Sequence, residues 1–240
     1  MENNLLEYLK TALIVSIIGI PIWFSMRKYA FRNLNKTMAS VLFIIYLTAT
    51  VFTQNFIPFV AVIITLISMN RNNREDVDLY NFRNIKGHKT KIVLNALLFN
   101  IVVRYINVVF VNLIQLLGIK PEPQEVIKVF NNSNWTVVII LTFITVIFAP
   151  VVEEYVFRHI LYKGFSKKIG KISSSILTSA LFTLVHFNLA GTVSFFAVGI
   201  YNCYLYEKYG YRAAVLNHFI FNFVPTILII LAKIYGVNLT

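Results

Sequence analysis

A single cysteine, Cys203, stands in the 240 residues, so no internal disulfide is available and the thiol reads as one more apolar site at helical spacing. Charge is scarce as well. Charged residues make up 13% against 58% hydrophobic, and the mean hydropathy of +0.70 lies far above that of an ordinary soluble domain. The chain shows no soluble domain, no internal repeat and no low-complexity tract. Its first apolar run, 5–26, lacks a small-x-small cleavage site and carries Arg27 and Lys28 on its far side, so it reads as a retained span rather than a cleavable signal. Acids are the rarest charged group, 10 against 22 Lys and Arg, for a net charge of +12. Such an excess also marks nucleic-acid binders, but here the cations sit between apolar runs, where they orient a membrane protein. No nucleic-acid partner is expected.

What is present in abundance is apolar length. Runs at 5–26, 38–69, 92–117, 134–157, 173–190, 192–207 and 213–235 are each long enough to enter or cross a bilayer. The run at 38–69 is open to two readings: one tilted helix about 48 Å long, or two short crossings joined by a hairpin at Gln54, Asn55 and Pro58. Charge favours the hairpin. Arg27, Lys28, Arg32 and Lys36 precede the run and Arg71, Arg74, Arg83, Lys86, Lys89 and Lys91 follow it, so both flanks belong in the cytoplasm. With every other run crossed once, Arg158, Lys163, Lys167, Lys168, Lys171, Lys208 and Arg212 also fall inside. Seventeen cations are then cytoplasmic, four (Lys10, Lys120, Lys128, Lys233) are outside and Arg104 lies within a span. The expected architecture is an all-α, polytopic membrane helix bundle of about eight transmembrane spans with both termini outside. It is a single membrane domain, 1–240, divided into N-terminal spans (1–133) and core spans (134–240).

Ionisable groups inside a bilayer cost at least a few kcal/mol each, so they face a bundle interior or a wet cavity and usually have a function. The short list here is Arg104, Glu153, Glu154, Arg158, His186 and His218, with the amides Asn100, Asn107, Asn112, Asn188, Asn217 and Asn222. In FAPVVEEYVFRH, residues 148–159, Glu154 and Arg158 are four apart in the favourable order for an ion pair. Glu153 is turned about 100° away, which leaves it the less neutralised acid, suited to a general base. Pro150 removes a backbone donor one turn earlier and can kink the span. A juxtamembrane ion pair with a spare solvated glutamate would look the same. FTLVHFN, residues 182–188, puts Phe182 and His186 on one face, although a lone histidine in an apolar helix is more often a packing residue. NHFIFN, residues 217–222, stacks His218 and Asn222 on one face, as interhelical glue also does.

Taken in order, EEYVFR (Glu153 to Arg158), FTLVH (Phe182 to His186) and HFIFN (His218 to Asn222) resemble the EExxxR, FxxxH and HxxxN motifs of the CPBP family of intramembrane proteases. That family is also called the CAAX-protease and bacteriocin-processing, or Abi, family. The resemblance covers the chain from about Trp135 onward. His159 departs from it, standing where many relatives have glycine, and is expected to crowd the packing there. The resemblance implies an endopeptidase that cleaves a membrane-associated peptide or protein. Glu153 would activate water with help from His186, His218 and Asn222 would donate to the oxyanion, and Glu154 and Arg158 would hold the helix. It also raises a metal site, for Glu153, His186 and His218 resemble an open three-ligand zinc set. There is no HExxH, and Asn222 suits an oxyanion better than a metal, so the cofactor stays undetermined between none and a divalent metal such as zinc.

One geometric difficulty accompanies this expectation. Glu153 and His218 lie near the cytoplasmic ends of their runs, whereas His186 lies about 21 Å past Ile172 if the intervening residues are helical. The three meet only if that helix projects beyond the bilayer core or tilts strongly. Arg104, with Asn100 and Asn107, forms a polar stripe that reads as a structural seam or, alternatively, as a site for a substrate carboxylate. Rival functions are a non-catalytic scaffold or bacteriocin-immunity protein and a proton-coupled transporter. The first should have lost a motif residue and the second should show internal repeats; neither sign is present. Substrates suggested by the family are bacteriocin leaders or secreted signalling peptides, and the lysine-, asparagine- and isoleucine-rich composition suits a bacterial plasma membrane.

Overall fold

The computed structural model describes residues 2–53, 55–72, 85, 87–122 and 124–237. Gln54 of the expected hairpin, and Arg74, Arg83 and Lys86 of the second basic cluster, lie outside the described residues. Among the described residues every element of the fold is helical. In chain order these are α1 (Glu2–Ile14), α2 (Ile20–Tyr29), α3 (Lys36–Thr53), α4 (Phe56–Asn72), α5 (Lys89–Leu116), α6 (Glu125–Asn132), α7 (Trp135–Phe143), α8 (Ala149–Glu154), α9 (Lys163–Ile169), α10 (Lys171–Leu184), α11 (Thr192–Tyr209) and α12 (Tyr211–Ile234). Three π-helical stretches, Val15–Gly19, Ile144–Phe148 and Tyr155–Tyr162, join helices end to end. The rods Leu5–Tyr29 and Trp135–Ile169 result. With α3, α5 and α12 they are the five helices long and apolar enough to cross a membrane, and Phe56–Arg71 is a shorter apolar helix.

The ambiguous run at 38–69 is two helices. α3 ends at Thr53 and α4 starts at Phe56, with Asn55 in the break and Pro58 in the first turn of α4, where a missing N–H is harmless. The two pack against each other. A second difference concerns the run expected to end at 157. Its helix continues to Ile169, because helix formation does not stop where hydropathy does: no proline interrupts 159–169, and the chain turns only at Gly170.

Proline explains two of the π turns. A proline ring collides with the carbonyl four residues back, here Ile17 O for Pro21 and Val146 O for Pro150. In each case the preceding residue bonds five back instead, Ile20 N–H to Val15 O and Ala149 N–H to Ile144 O, which widens the helix ahead of the ring. Pro225 is treated differently. It sits inside α12 with no π turn, and the carbonyl it leaves without a donor, Phe221 O, receives Nη2 of Arg104 from α5 at 2.8 Å.

Tight reversals set the helices side by side. Gly170, at φ 79°, turns α9 into α10 in one residue, and a Cβ there would meet nothing within 4 Å, so the left-handed backbone alone calls for glycine. Gly199 on α11 is needed for a different reason: a Cβ would come within 2.6 Å of Ser179 on α10. α10, α11 and α12 pack in sequence, α5 covers α11 and α12, and α4 packs on α2 and α8. One buried apolar cluster runs through both halves, from Ile18, Trp23 and Met69 to Tyr155, Phe182 and Phe221. Tyr155 crosses between them, its hydroxyl 2.6 Å from Ser25 Oγ and 3.7 Å from Met69 Sδ.

Candidate active site

The rod Trp135–Ile169 delivers two adjacent carboxylates to the middle of the bundle, and they have different surroundings. Glu154 is fully buried. Its Oε1 accepts from His218 Nδ1 at 2.7 Å and from Asn202 Nδ2 at 2.9 Å, and Arg158 Nη1 stands 3.1 Å away. Asn202 is itself held by Asn217, whose amide donates to Asn202 Oδ1 at 2.7 Å. Arg158, also fully buried, donates to Gly199 O at 3.1 Å and lays its guanidinium over the Phe182 ring at 4.8 Å. Charge, hydrogen bonding and a π face therefore compensate each other in a cluster drawn from α8, the π stretch after it, α10, α11 and α12.

Glu153 is the accessible acid, with 13% of its side chain exposed, and its Oε2 lies 3.8 Å from His218 Nε2. The imidazole thus stands between the two glutamates: Nδ1–H is fixed on Glu154 and Nε2 faces Glu153. The pairing of Glu154 with Arg158 and the lesser neutralisation of Glu153 agree with the sequence spacing. The depth problem for His186 disappears with the longer rod. Glu153 stands 16 residues before Ile169 and His186 stands 15 after Lys171, so both lie about 23 Å from the Gly170 turn. His186 follows the end of α10, donates Nδ1–H to Phe182 O at 2.6 Å and stacks on Phe195 at 4.0 Å. The Phe182 ring separates the two histidines, with centroids 4.7 Å from His186 and 5.6 Å from His218.

The remaining expected site residues point elsewhere. Asn222 donates its amide to Thr145 O at 2.9 Å. Arg104, besides Phe221 O, reaches Asn100 Oδ1 at 3.4 Å and covers the Phe221 ring at 4.9 Å. Asn107 on the same stripe donates to Ala190 O at 2.7 Å and accepts from Ser194 N at 3.1 Å, tying the turn after His186 to α5. His159 is accommodated rather than crowding: it is buried, 3.0 Å from the Tyr206 hydroxyl and stacked on Tyr155. Asn202 escaped the sequence reading altogether. The available signal was one amide in the middle of the apolar run 192–207, and α11 carries no motif to single it out.

Among the described residues no three His, Cys, Asp or Glu side chains form a group that could hold a metal ion. His218 and His186 each have Nδ1 held, by Glu154 and by a backbone carbonyl, which orients the rings and leaves Nε2 on both. Glu153, His186 and His218 do not come together as a three-ligand set in this arrangement, so they do not fit a metal.

The site's chemistry has a counterpart among known families. Residues 134–224 match the family model described as Type II CAAX prenyl endopeptidase Rce1-like. That stretch contains every member of the acid, histidine and amide cluster. No curated protein and no solved structure matches the chain. With five helices suited to crossing a bilayer, the chain is an integral membrane protein, and its residues 134–224 match the Rce1-like CAAX endopeptidase family model.

Proposed function

We propose that this chain is an intramembrane endopeptidase in which Glu153 activates water to cleave a peptide bond of a membrane-associated peptide or protein. The observation that carries the proposal is the contrast between the two acids. Glu154 is fully buried, hydrogen-bonded by His218 and Asn202 and ion-paired with Arg158, whereas Glu153 is partly open and faces one imidazole nitrogen. A general base must be free to take a proton, and only Glu153 is.

In this mechanism Glu153 removes a proton from water, and the resulting hydroxide adds to the scissile carbonyl. His218, carrying protons on both nitrogens, keeps Nδ1–H on Glu154 and offers Nε2–H to the developing oxyanion. Arg158 and Asn202 keep Glu154 ionised so that it balances the imidazolium. Glu153 then passes its proton to the leaving amine as the tetrahedral intermediate collapses. His186 assists from across the Phe182 ring, with its Nε2 available to the water or the substrate. The whole chain acts as one membrane domain with eight crossings, and its basic loops lie on the cytoplasmic side, where the α9–α10 turn projects from the bilayer. The Arg104 guanidinium serves first as the donor to Phe221 O, which supports its seam role over that of a substrate carboxylate site.

The test compares peptides released by membranes containing wild type and Glu153→Ala, with and without a chelator. Loss of specific products in the variant is expected, and identical product profiles would refute the proteolytic reading. Activity that vanishes with chelator would overturn the metal-free form of the mechanism.

A further inference from the structure

Two prolines interrupt the helices around the site, and each leaves a carbonyl that the helix cannot satisfy by itself. For Pro225 that carbonyl is Phe221 O, which Arg104 reaches from α5. For Pro150, where the helix is in π register, the count goes one residue further back, to Thr145 O. Its two helical donors would be the N–H groups four and five residues on. Ala149 N–H bonds to Ile144 O, and Pro150 has no N–H. Thr145 O is thereby left to a side chain, and Asn222 Nδ2 of α12 meets it at 2.9 Å. A backbone carbonyl without a donor is strongly disfavoured at membrane depth, so the contact has a physical cause of its own, independent of any substrate.

We propose that Asn222 is a positioning residue: its amide replaces the N–H that Pro150 lacks and fixes the π joint ahead of α8, so that Glu153 keeps its place beside His218. The two contacts come from one face of α12, since His218 and Asn222 are four residues apart. One holds the glutamates and the other holds the joint before them. Thr226 Oγ1, bonded to Asn222 O at 2.8 Å, steadies the amide's own turn. This inference rests on the peptidase reading for its kinetic consequence but not for its structural one. It also differs from the oxyanion duty that the family resemblance assigns to this amide.

The experiment pairs Asn222→Ala with Pro150→Ala in the full-length, detergent-solubilised protein. Both kcat and KM are measured on the released peptide, and Tm is measured in parallel in a Glu153→Gln background. Asn222→Ala is expected to lower kcat by about 10²-fold with KM unchanged, as a misplaced base does. It should also lower Tm by about 2–4 °C. Adding Pro150→Ala should restore most of both, because the N–H it introduces reaches Thr145 O. A double variant as impaired as Asn222→Ala in kcat would overturn the proposal and place the amide on the reacting atoms. An Asn222→Ala protein with lowered Tm but normal kcat would also overturn it, leaving only a brace. Absence of any Glu153-dependent cleavage would instead refute the peptidase reading. In that event Tm alone would decide, with failure of Pro150→Ala to rescue it overturning the brace.

Discussion

At the scale of single residues, the two adjacent glutamates are separated by what surrounds them rather than by chemistry. Glu154 sits at zero exposure against Arg158, also at zero, so neither charge has access to water. Removing one partner of such a pair strands the other, at about 3–5 kcal/mol. Glu154→Gln should therefore lower Tm markedly, and Arg158→Leu should do the same; a thermal melt of the purified protein is the check. Glu153→Gln changes an acid with 13% of its side chain exposed and a single neighbouring imidazole. It should leave the melt unchanged while peptide release falls by about 10²–10⁴-fold, the range lost with a general base. Opposite outcomes at neighbouring positions would separate the structural acid from the reactive one. Asn202→Leu belongs with Glu154: it removes one of the two hydrogen-bond donors on that carboxylate and leaves Asn217 without its acceptor, so Tm and activity should fall together.

At the scale of elements, the prolines decide where helices widen and where neighbours must reach in. Arg104→Leu should destabilise by about 1–3 kcal/mol, the loss expected when a buried carbonyl is left unmet. Pro225→Ala should recover part of that by returning an N–H to Phe221 O, with chemical or thermal unfolding of the two variants as the measurement. Parallel loss of protein level and activity in Arg104→Leu would favour the seam, whereas a raised KM alone would favour a substrate carboxylate. The three motif segments were legible in the sequence because an ionisable side chain inside an apolar run is conspicuous. The four-residue spacing of Glu154 and Arg158, and of His218 and Asn222, conveyed their shared faces. The break between Thr53 and Phe56 was legible from flanking charge. What was hidden follows from what hydropathy measures. It senses the bilayer and not the helix, so the extension from Phe157 to Ile169 was missed, and with it the matching depths of Glu153 and His186. The π turns were hidden because the residues that form them, such as Ile144–Phe148, look like any apolar helix. The partners of Thr145 O and Phe221 O lie 77 and 117 residues away, beyond any local pattern.

At the scale of the whole molecule, the N-terminal helices and the 134–224 domain share one buried cluster, with Tyr155 bonded to Ser25 across it. Ser25→Leu should thus weaken the site's support from a distance, read as lower activity per folded molecule with unchanged KM. Since no three ligating side chains gather among the described residues, dialysis against a chelator is expected to leave both melt and cleavage unaltered. The assembly of the Glu154 cluster also has a consequence for synthesis. Asn202 follows Glu154 by 48 residues and His218 by 64, so the acid leaves the ribosome well before either partner exists. During that interval Arg158 is the partner already made, and a buried acid with part of its cluster missing is costly in free lipid. A chain stopped before Tyr211 should therefore be cleared by quality-control proteases, while one stopped after Ile234 should escape them.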